Sequence, residues 1–295
     1  MSLLRIFATC SVICVFSGLP LRAQKATCTN WNTWLLNPAN ANNPREEARG
    51  VNDNRTVVGF GGYLNKPDTV GFVHYGSGKV TYWRPGSTRF SALYGRNNAG
   101  NTVGNYKDNS GFYRAVYLHG SITTVIVHPK AAPHKTGLTA INNLNTLLGS
   151  YTDGNGGNHI FKRRSDGSFL NVPNFPGAKS TSAGGFNDNG VVVGTYILPN
   201  ETNVSHGFIY RNGKFATVNY RNFQDITWLT GIDNNGSFVG NAYSNGFLFK
   251  NGVFKNIVGP HGEQVTVYGI SAHGIITGNM WISGTGQHGF TVNCQ

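Results

Sequence analysis

Charged residues are scarce in this sequence of 295 residues, and acidic side chains are the rarer kind. Only 12% of the residues are charged, and 12 Asp and Glu stand against 24 Lys and Arg, which gives a formal net charge of +12. Cleavage of glycosides needs two carboxylates at a defined separation, and outside the turns the carboxylates of this chain recur at no fixed position. The positive charge favours attraction to anionic polymers; the alternative is that it only keeps a glycine-rich protein soluble.

Other signatures of catalysis and metal binding are missing too. The nine histidines show no H-x-x-x-H or other metal-ligand spacing, and no G-x-S-x-G nucleophile elbow occurs. The run DNG at 188–190 resembles part of a calcium loop, but the later acidic residue that such a loop requires is lacking. We therefore expect no metal, no cofactor and no catalytic residue.

Long apolar segments are restricted to the N-terminus. Residues 1–23 contain one early Arg, an apolar run from Ile6 to about Leu19 and a small residue, Ala23, which together predict a secretory signal peptide. The run is too short to span a bilayer, so a retained anchor is the weaker alternative. Cleavage would remove two arginines and leave a formal charge of +10.

Cysteine is also rare, and two of the four cysteines would leave with the signal peptide. The other two, Cys28 and Cys294, stand almost at the ends of the mature chain. An even pair in an exported protein predicts a disulfide, the alternative being two unrelated cysteines, and no cysteine would then be free as a nucleophile.

What the sequence does contain is one phrase in six copies. It reads GGFNDNGVVVGTY at 184–196, and its closing glycines follow one another at steps of 45, 45, 45, 46 and 38 residues. These glycines are Gly59, Gly104, Gly149, Gly194, Gly240 and Gly278. A period of 40 to 50 residues with a β-rich composition (18 Phe, 13 Tyr, 40 Gly) favours the blades of a β-propeller.

The fourth copy indicates four strands per blade. Its predicted strands are 180–187, 191–197, 206–211 and 214–220, and Asn-Gly turns that supply a positive φ join them in hairpins. Six copies predict an all-β fold, a six-bladed β-propeller of four-stranded antiparallel blades, in a single domain over 24–295. The repeats run near 48–91, 92–137, 138–181, 182–227, 228–264 and 265–294 plus 28–37.

The repeated residues are interpreted as scaffold. Asn and Asp residues should form hairpin corners by bonding their local backbone; they are Asn52, Asp53, Asn187, Asp188, Asp233 and Asn234. The glycines of the second strands should face a neighbouring blade. Small residues of the innermost strands should lie at the crowded axis; they are Gly50, Gly95, Ala140, Gly185, Gly231 and Gly269.

The sixth copy lacks a fourth strand, which would leave an open sheet edge. The extended segment CTNWNTWLLN at 28–37 is predicted to complete this last blade. Aligning both ends with the fourth copy places Cys28 opposite Cys294, within the separation that a disulfide tolerates.

The copies resemble the HAF-type extracellular repeats of bacteria, which share a G-φ-N-(D/N)-x-G-x-φ-V-G-x-Y phrase and a His-Ala-Phe-like step. The step is HGF at 206–208 and 288–290, is degenerate at 70–72, 245–247 and 158–161, and is lost around 113–115. The resemblance covers residues 48–292. It implies an exported repeat protein and carries over no catalytic residues.

A binding site is expected on the face that bears the second-to-third loops and the connections between blades, because these vary while the hairpin turns are short and uniform. The turn face is expected to be nearly featureless. Aromatic and basic residues in the variable loops suit sugars or acidic polymers; the candidates are Tyr63, Lys66, Arg84, Arg89, Lys107, His128, Lys130, Arg221, Phe223, Trp228 and Trp281. The recurrent Tyr106, Tyr151 and Tyr196 suit interblade packing, the alternative being an aromatic ring around a mouth.

Two functions remain open from the sequence. The first is a secreted or periplasmic, non-catalytic, monomeric binding module for an extracellular glycan, anionic polymer or protein, with no specific nucleic-acid partner and no membrane span after signal cleavage. The alternative is a propeller-fold glycan hydrolase or lyase that uses loop carboxylates. Its candidates are Glu46, Glu47, Asp68, Asp153, Glu201, Asp225 and Glu263.

Overall fold

The computed structural model describes residues 24–35, 47–63, 66–220, 226–243 and 245–295. The predicted signal peptide and residues 36 and 37 of the predicted closing strand lie outside these ranges. Within them, no helix has the length and apolar composition needed to cross a membrane.

The described chain forms 25 strands. β1 (Gln24–Lys25) and β2 (Cys28–Leu35) come first. Blade 1 contains β3 (Glu47–Val51), β4 (Val57–Tyr63), β5 (Lys66–His74) and β6 (Val80–Trp83). Blade 2 contains β7 (Ser91–Arg96), β8 (Thr102–Lys107), β9 (Tyr113–His119) and β10 (Ile122–Ile126). Blade 3 contains β11 (Thr136–Ile141), β12 (Leu147–Thr152), β13 (Asn158–Arg163) and β14 (Phe169–Val172).

The second half of the chain continues the same order. Blade 4 contains β15 (Ser180–Phe186), β16 (Val192–Ile197), β17 (His206–Arg211) and β18 (Lys214–Val218). Blade 5 contains β19 (Trp228–Ile232), β20 (Phe238–Ala242), β21 (Asn245–Lys250) and β22 (Val253–Asn256). Blade 6 contains β23 (Val265–Ile270), β24 (Ile275–Ile282) and β25 (Gly286–Cys294).

The strands form six separate antiparallel sheets arranged in a ring, which confirms the predicted six-bladed β-propeller. The first strand of each blade contacts the first strand of the next, and β23 of blade 6 contacts β3 of blade 1, so the ring is closed. One strand was not predicted: β1 adds to the outer edge of blade 5 by pairing parallel to β22.

Blade 6 is completed by the N-terminal segment, as predicted. β2 pairs antiparallel with β25, and Cys28 lies directly opposite Cys294. The two cysteines form a disulfide, with their Cα atoms 4.1 Å apart. The bond therefore replaces the hairpin turn that joins the third and fourth strands in the other blades.

The two faces of the ring differ as expected from an antiparallel blade. We call the face with the short hairpin turns the turn face, and the face with the second-to-third loops and the interblade connections the loop face. On the turn face, Asn212 and Gly213 both have a positive φ (50° and 79°), as a two-residue hairpin turn requires. Strand β18 ends at Val218, two residues earlier than predicted, because Tyr220 turns away to stack on Phe247 of blade 5.

The Asn and Asp residues of the first-to-second turns make two kinds of hydrogen bond. In blade 4, Asn187 Oδ1 accepts a bond from Val191 N at 3.0 Å, which is the predicted local turn. The next residue, Asp188, accepts a bond from Asn143 N of the preceding blade at 2.8 Å. Asn187 Nδ2 also donates to Asp233 O of the next blade at 2.8 Å. The prediction of local bonding therefore holds for Asn187 Oδ1 and is wrong for Asp188, since adjacent turns come within bonding distance near the axis.

The second strands require glycine because other strands of the same blade approach closely. The prediction that these glycines face a neighbouring blade was therefore wrong. A Cβ on Gly194 would lie 2.1 Å from Ser182 O on the first strand and 2.8 Å from the Phe208 ring on the third. The close approach between blades belongs instead to the small residues of the first strands. A Cβ on Gly50 would lie 2.6 Å from Tyr94 O of blade 2, in agreement with the predicted crowding at the axis.

Candidate ligand-binding site

The loop of blade 2 is held rigidly at the loop face. Asp108 Oδ1 accepts hydrogen bonds from the backbone N–H groups of Ser110 and Phe112, both at 3.0 Å. Asp108 Oδ2 accepts a bond from Arg114 Nε at 2.7 Å. The bond from Phe112, together with Arg114, lowers the pKa of Asp108, so the loop keeps its charged anchor at neutral pH.

This anchored loop presents two aromatic rings to solvent. Phe112 and Tyr113 are both 47% exposed. Phe112 stacks on His134 of the following interblade connection, with ring centroids 4.1 Å apart. Tyr113 contacts Phe90 of the preceding connection edge to face at 5.5 Å, and the Lys107 ammonium lies 4.8 Å from the Tyr113 ring centroid. The loop thus joins both flanking connections into one surface.

The preceding connection is also fixed. Arg84 Nη2 lies 2.7 Å from the buried carboxylate of Asp68, and Arg84 Nε donates to Thr88 O at 2.8 Å. The backbone of Arg89 is fixed, because its carbonyl accepts a bond from Thr69 N. Its side chain is 86% exposed and lies 3.9 Å from Asp68, so the guanidinium is free to contact a ligand.

The following connection is anchored by a buried histidine. His128 stacks on Tyr151 of blade 3 with centroids 3.8 Å apart, and its Nδ1 accepts a bond from Lys130 N at 3.2 Å. Burial, with nearby Lys130 and His159, lowers the pKa of His128 and keeps it neutral. His128 therefore anchors the connection through its buried side chain, while Lys130 and Lys135 are exposed.

We call this patch the basic–aromatic surface; it comprises Arg89, Lys107, Phe112, Tyr113, Lys130, His134 and Lys135. It brings together three of the predicted binding residues, Arg89, Lys107 and Lys130. Arg84 and His128 hold the two flanking connections in place. The sequence indicated the loops, and the structure separates the side chains that face solvent from those that hold the loops.

The remaining candidates are not part of this surface. Trp228 and Trp281 are 45% and 57% exposed on the loop face, but they belong to blades 5 and 6, which do not adjoin blade 2. Tyr63 ends β4 and Lys66 begins β5, and their side chains lie outside what the structure describes. Arg221 and Phe223 lie outside the described residues.

The recurrent tyrosines take part in an interblade stack that the sequence only partly revealed. In blade 3, Tyr151 lies between His128 of blade 2 and His159 of its own third strand, at 3.8 and 4.8 Å. Asp153 of the second-to-third loop lies 2.7 Å from His159. Blade 4 repeats the arrangement with Phe175, Tyr196, His206 and Glu201. The tyrosines are thus interblade packing residues, and the loop carboxylates have structural partners.

A second group of polar and aromatic residues was missed. In all six blades the register shifts by one residue within the first strand, which leaves a bulged residue beside the axis. The bulged residues are Arg49, Tyr94, Thr139, Gly184, Thr230 and Tyr268. Each stands immediately before the small residue of the repeated phrase. That position varies from Arg to Gly while its neighbours stay similar, which is the signal that could have identified it.

Three of these bulged residues form a cluster between blades 6, 1 and 2. The Arg49 guanidinium lies 4.6 Å from the ring centroid of Tyr268 and 5.9 Å from that of Tyr94. It also lies 5.6 Å from Phe60 and forms an ion pair with Glu47. Burial and the charge of Glu47, opposed by Arg49, raise the pKa of Tyr268 to about 12. Its hydroxyl therefore stays protonated at neutral pH.

The turn face is less featureless than expected. A cavity of about 50 Å³ lies on the axis, where the ends of the first strands meet the ring of turn side chains such as Asn98, Asn143 and Asp188. Asn98 N donates to Asn143 Oδ1 and Asn143 N donates to Asp188 Oδ1, so the turns of adjacent blades are joined at this end of the axis. Among the residues that the structure describes, no three His, Cys, Asp or Glu side chains are grouped as metal ligands.

Comparisons with known proteins place the fold but not the function. No protein-family model matches the sequence, and no curated protein is similar to it. A putative gluconolactonase structure matches with a TM-score of 0.53 and 13% identity over 93% of this chain and 98% of its own. A gluconolactonase from Xanthomonas campestris matches with a TM-score of 0.51 and 10% identity over 93% of this chain and 97% of its own. TolB from Acinetobacter baumannii matches with a TM-score of 0.50 and 10% identity over 83% of this chain and 55% of its own. At such identities the likeness shows the propeller fold alone.

Proposed function

We propose that this chain is an exported, non-catalytic propeller that binds an anionic glycan through the basic–aromatic surface. The proposal rests on the placement of four basic side chains beside the exposed rings of Phe112 and Tyr113, on three segments that hydrogen bonds and ring contacts hold in place. Among the described residues, Lys107, Lys130 and Lys135 form no ion pair, and the exposed Arg89 shares the single carboxylate of Asp68 with Arg84. Exposed rings provide faces for sugar rings, and uncompensated cations attract carboxylate or sulfate groups.

Preformed loops favour binding because little conformational freedom is lost when a ligand arrives. Asp108 fixes the second-to-third loop of blade 2 through three hydrogen bonds, and Arg84 fixes the preceding connection. The surface is therefore a preorganised one rather than a set of independent side chains.

Export is supported by the disulfide. Disulfides persist in oxidising compartments, and the Cys28–Cys294 bond joins the two ends of the mature chain. The signal peptide over 1–23 remains a prediction. Membership of the HAF-type repeats is likewise proposed from the repeated phrase, whose residues have structural roles in the turns and at the axis.

The hydrolase or lyase alternative receives less support from the carboxylates. Glu47 is paired with Arg49, Asp68 with Arg84, and both Asp153 and Glu201 with histidines of their own blades. Glu263 accepts a bond from His261 N. Glu46 and Asp225 lie outside the described residues. Because each described candidate is bonded within its own blade, the arrangement favours binding over two-carboxylate cleavage.

The proposal predicts that removing three cations weakens the binding of a polyuronate. The triple variant Arg89→Ala, Lys107→Ala, Lys130→Ala should bind polygalacturonate about tenfold more weakly at low salt, because three exposed charges at about 0.5 kcal/mol each contribute about 1.5 kcal/mol. Isothermal titration calorimetry measures the affinity, and the salt dependence of binding should become shallower. Chromatography of the polymer after long incubation should show no shortening.

The matched control removes the same charges elsewhere. Arg164, Lys79 and Lys214 are exposed outside the basic–aromatic surface, so the triple variant Arg164→Ala, Lys79→Ala, Lys214→Ala should retain most of the affinity. Equal losses in both triple variants would show non-specific attraction to a basic protein and would overturn the proposed site. Release of shortened chains by the unchanged protein would instead support the enzymatic alternative.

A further inference from the structure

We propose that the loop-face half of the central axis is a second binding site, which takes an uncharged sugar residue. It is formed by the Glu47–Arg49 pair and the rings of Tyr268, Tyr94 and Phe60, which we call the axial cluster. It is separate from the basic–aromatic surface, which lies on the loops of blade 2 and its flanking connections.

The position of the axial cluster follows from the bulges. A bulge leaves one residue without a partner and redirects its side chain, and bulges are frequent beside functional sites. The bulged residues of blades 6, 1 and 2 are large, whereas those of blades 3, 4 and 5 are Thr139, Gly184 and Thr230. Large bulged side chains therefore meet only where blades 6, 1 and 2 adjoin.

The charge of the axial cluster is balanced. Glu47 and Arg49 form an ion pair while their side chains stay 24% and 35% exposed. An anionic ligand would be repelled by Glu47, and a cationic one by Arg49. A ligand without charge can instead accept from the guanidinium and donate to the carboxylate, as adjacent hydroxyl groups of a sugar do.

The rings supply the rest of a sugar site. Arg49 lies within 6 Å of three ring centroids, at 4.6, 5.6 and 5.9 Å, so its plane is held by cation–π contacts. Its Nε–H is buried and has no acceptor among the described residues. The protonated hydroxyl of Tyr268 is a further donor. The cluster thus combines aromatic surface for the C–H face of a pyranose with donors and an acceptor for its hydroxyls.

The alternative is that Arg49 has only a structural role and stabilises the contacts between blades 6, 1 and 2. A structural role predicts a loss of stability in variants but no ligand. The two roles can be separated with Glu47→Gln, which keeps the shape and removes one charge, and with Tyr268→Phe, which keeps the ring and removes the hydroxyl donor.

The experiment uses the mature protein and a panel of methyl glycosides of neutral hexoses with the matching uronic acids. Saturation-transfer NMR and calorimetry should detect at least one neutral glycoside, bound more tightly than its uronic acid. Glu47→Gln should weaken the neutral glycoside about tenfold and improve the uronic acid, because Arg49 then lacks its counter-charge. Tyr268→Phe should weaken the neutral glycoside about tenfold without changing the melting temperature by more than a few degrees.

Polygalacturonate is titrated into the same variants. Its affinity should be unchanged, because the basic–aromatic surface is intact in both. Absence of binding by every neutral glycoside, or neutral binding that is unchanged in Tyr268→Phe, would overturn the axial site. In the triple variant Arg89→Ala, Lys107→Ala, Lys130→Ala, a uronic acid preferred over the matching neutral glycoside would also overturn it. None of these outcomes affects the proposal for the basic–aromatic surface.

Discussion

Single side chains close the ring on the turn face. The backbone N–H of Asp53 donates to Asn98 Oδ1 at 2.9 Å, Asn98 N donates to Asn143 Oδ1, and the series continues from blade to blade. At the last blade His273 takes the place of Asn or Asp, and both its N–H and its Nδ1 bond Asp53, at 2.9 and 2.7 Å. One titratable residue therefore stands where the last blade meets the first.

This contact makes stability depend on pH. The hydrogen bond to Asp53 raises the pKa of His273, with additional effects of its charge and those of Asp188 and Asp233. A raised pKa in the folded state means that the stabilisation is complete below about pH 6.5, the value of an unfolded histidine, and is lost as the pH rises through the folded value. Burial opposes the lowering of the Asp53 pKa, but hydrogen bonds from Ser271, Asn98 and His273 prevail, so Asp53 stays charged in this range.

We predict that His273→Asn lowers the melting temperature at about pH 6 and has a smaller effect at about pH 9. Thermal unfolding across this range measures the difference from the unchanged protein. His261→Asn, at an exposed histidine of an interblade connection, is the matched control and should show no such trend. A difference that stays constant with pH would contradict the role assigned to the His273–Asp53 pair.

At the scale of strands and turns, the repeated phrase defined most of the fold. The glycine spacing predicted six blades, and the alignment of the two ends predicted the Cys28–Cys294 bond. The phrase could not reveal the bulge in each first strand, because an extra residue in one strand is visible only once its partner is known. For that reason Arg49 and Tyr268 were missed, and Gly194 was assigned to the wrong neighbour.

The loop face was predictable only in part. Variable loops indicated where a site lies, but a sequence does not show which basic residues are bonded to loop carboxylates. Arg84 and Arg89 are five residues apart, yet one is fixed by Asp68 and the other is exposed. Likewise His128 is buried under Tyr151 while Lys130 faces solvent.

The shared blade predicts a large effect of the disulfide. The bond closes a loop of 266 residues, which in the chain-entropy model corresponds to about 5–6 kcal/mol, an upper figure. The double variant Cys28→Ser, Cys294→Ser should therefore lose several kcal/mol in free energy of unfolding, measured by denaturant titration. The unchanged protein with reductant should behave like the double variant. A loss below about 1 kcal/mol would show that strand pairing between β2 and β25 closes the ring without the covalent bond.

In the whole molecule, the two faces of the ring differ in which side chains they carry. The turn face holds the ring together through side chains repeated in the blades, such as Asn98 and Asn143. The loop face carries the residues that differ between blades, and these place the basic–aromatic surface on one sector. A closed ring keeps these loops at fixed relative positions, as the proposed binding through three separate segments requires.

Amide hydrogen exchange of the mature protein with and without polygalacturonate tests this account most directly. Bound polymer should slow exchange in three segments, 84–90, 107–114 and 128–136, while the turns at 52–56, 97–101 and 187–191 remain unchanged. Slowed exchange at those turns, or none in the three segments under saturating polymer, would contradict the assignment of binding to the basic–aromatic surface.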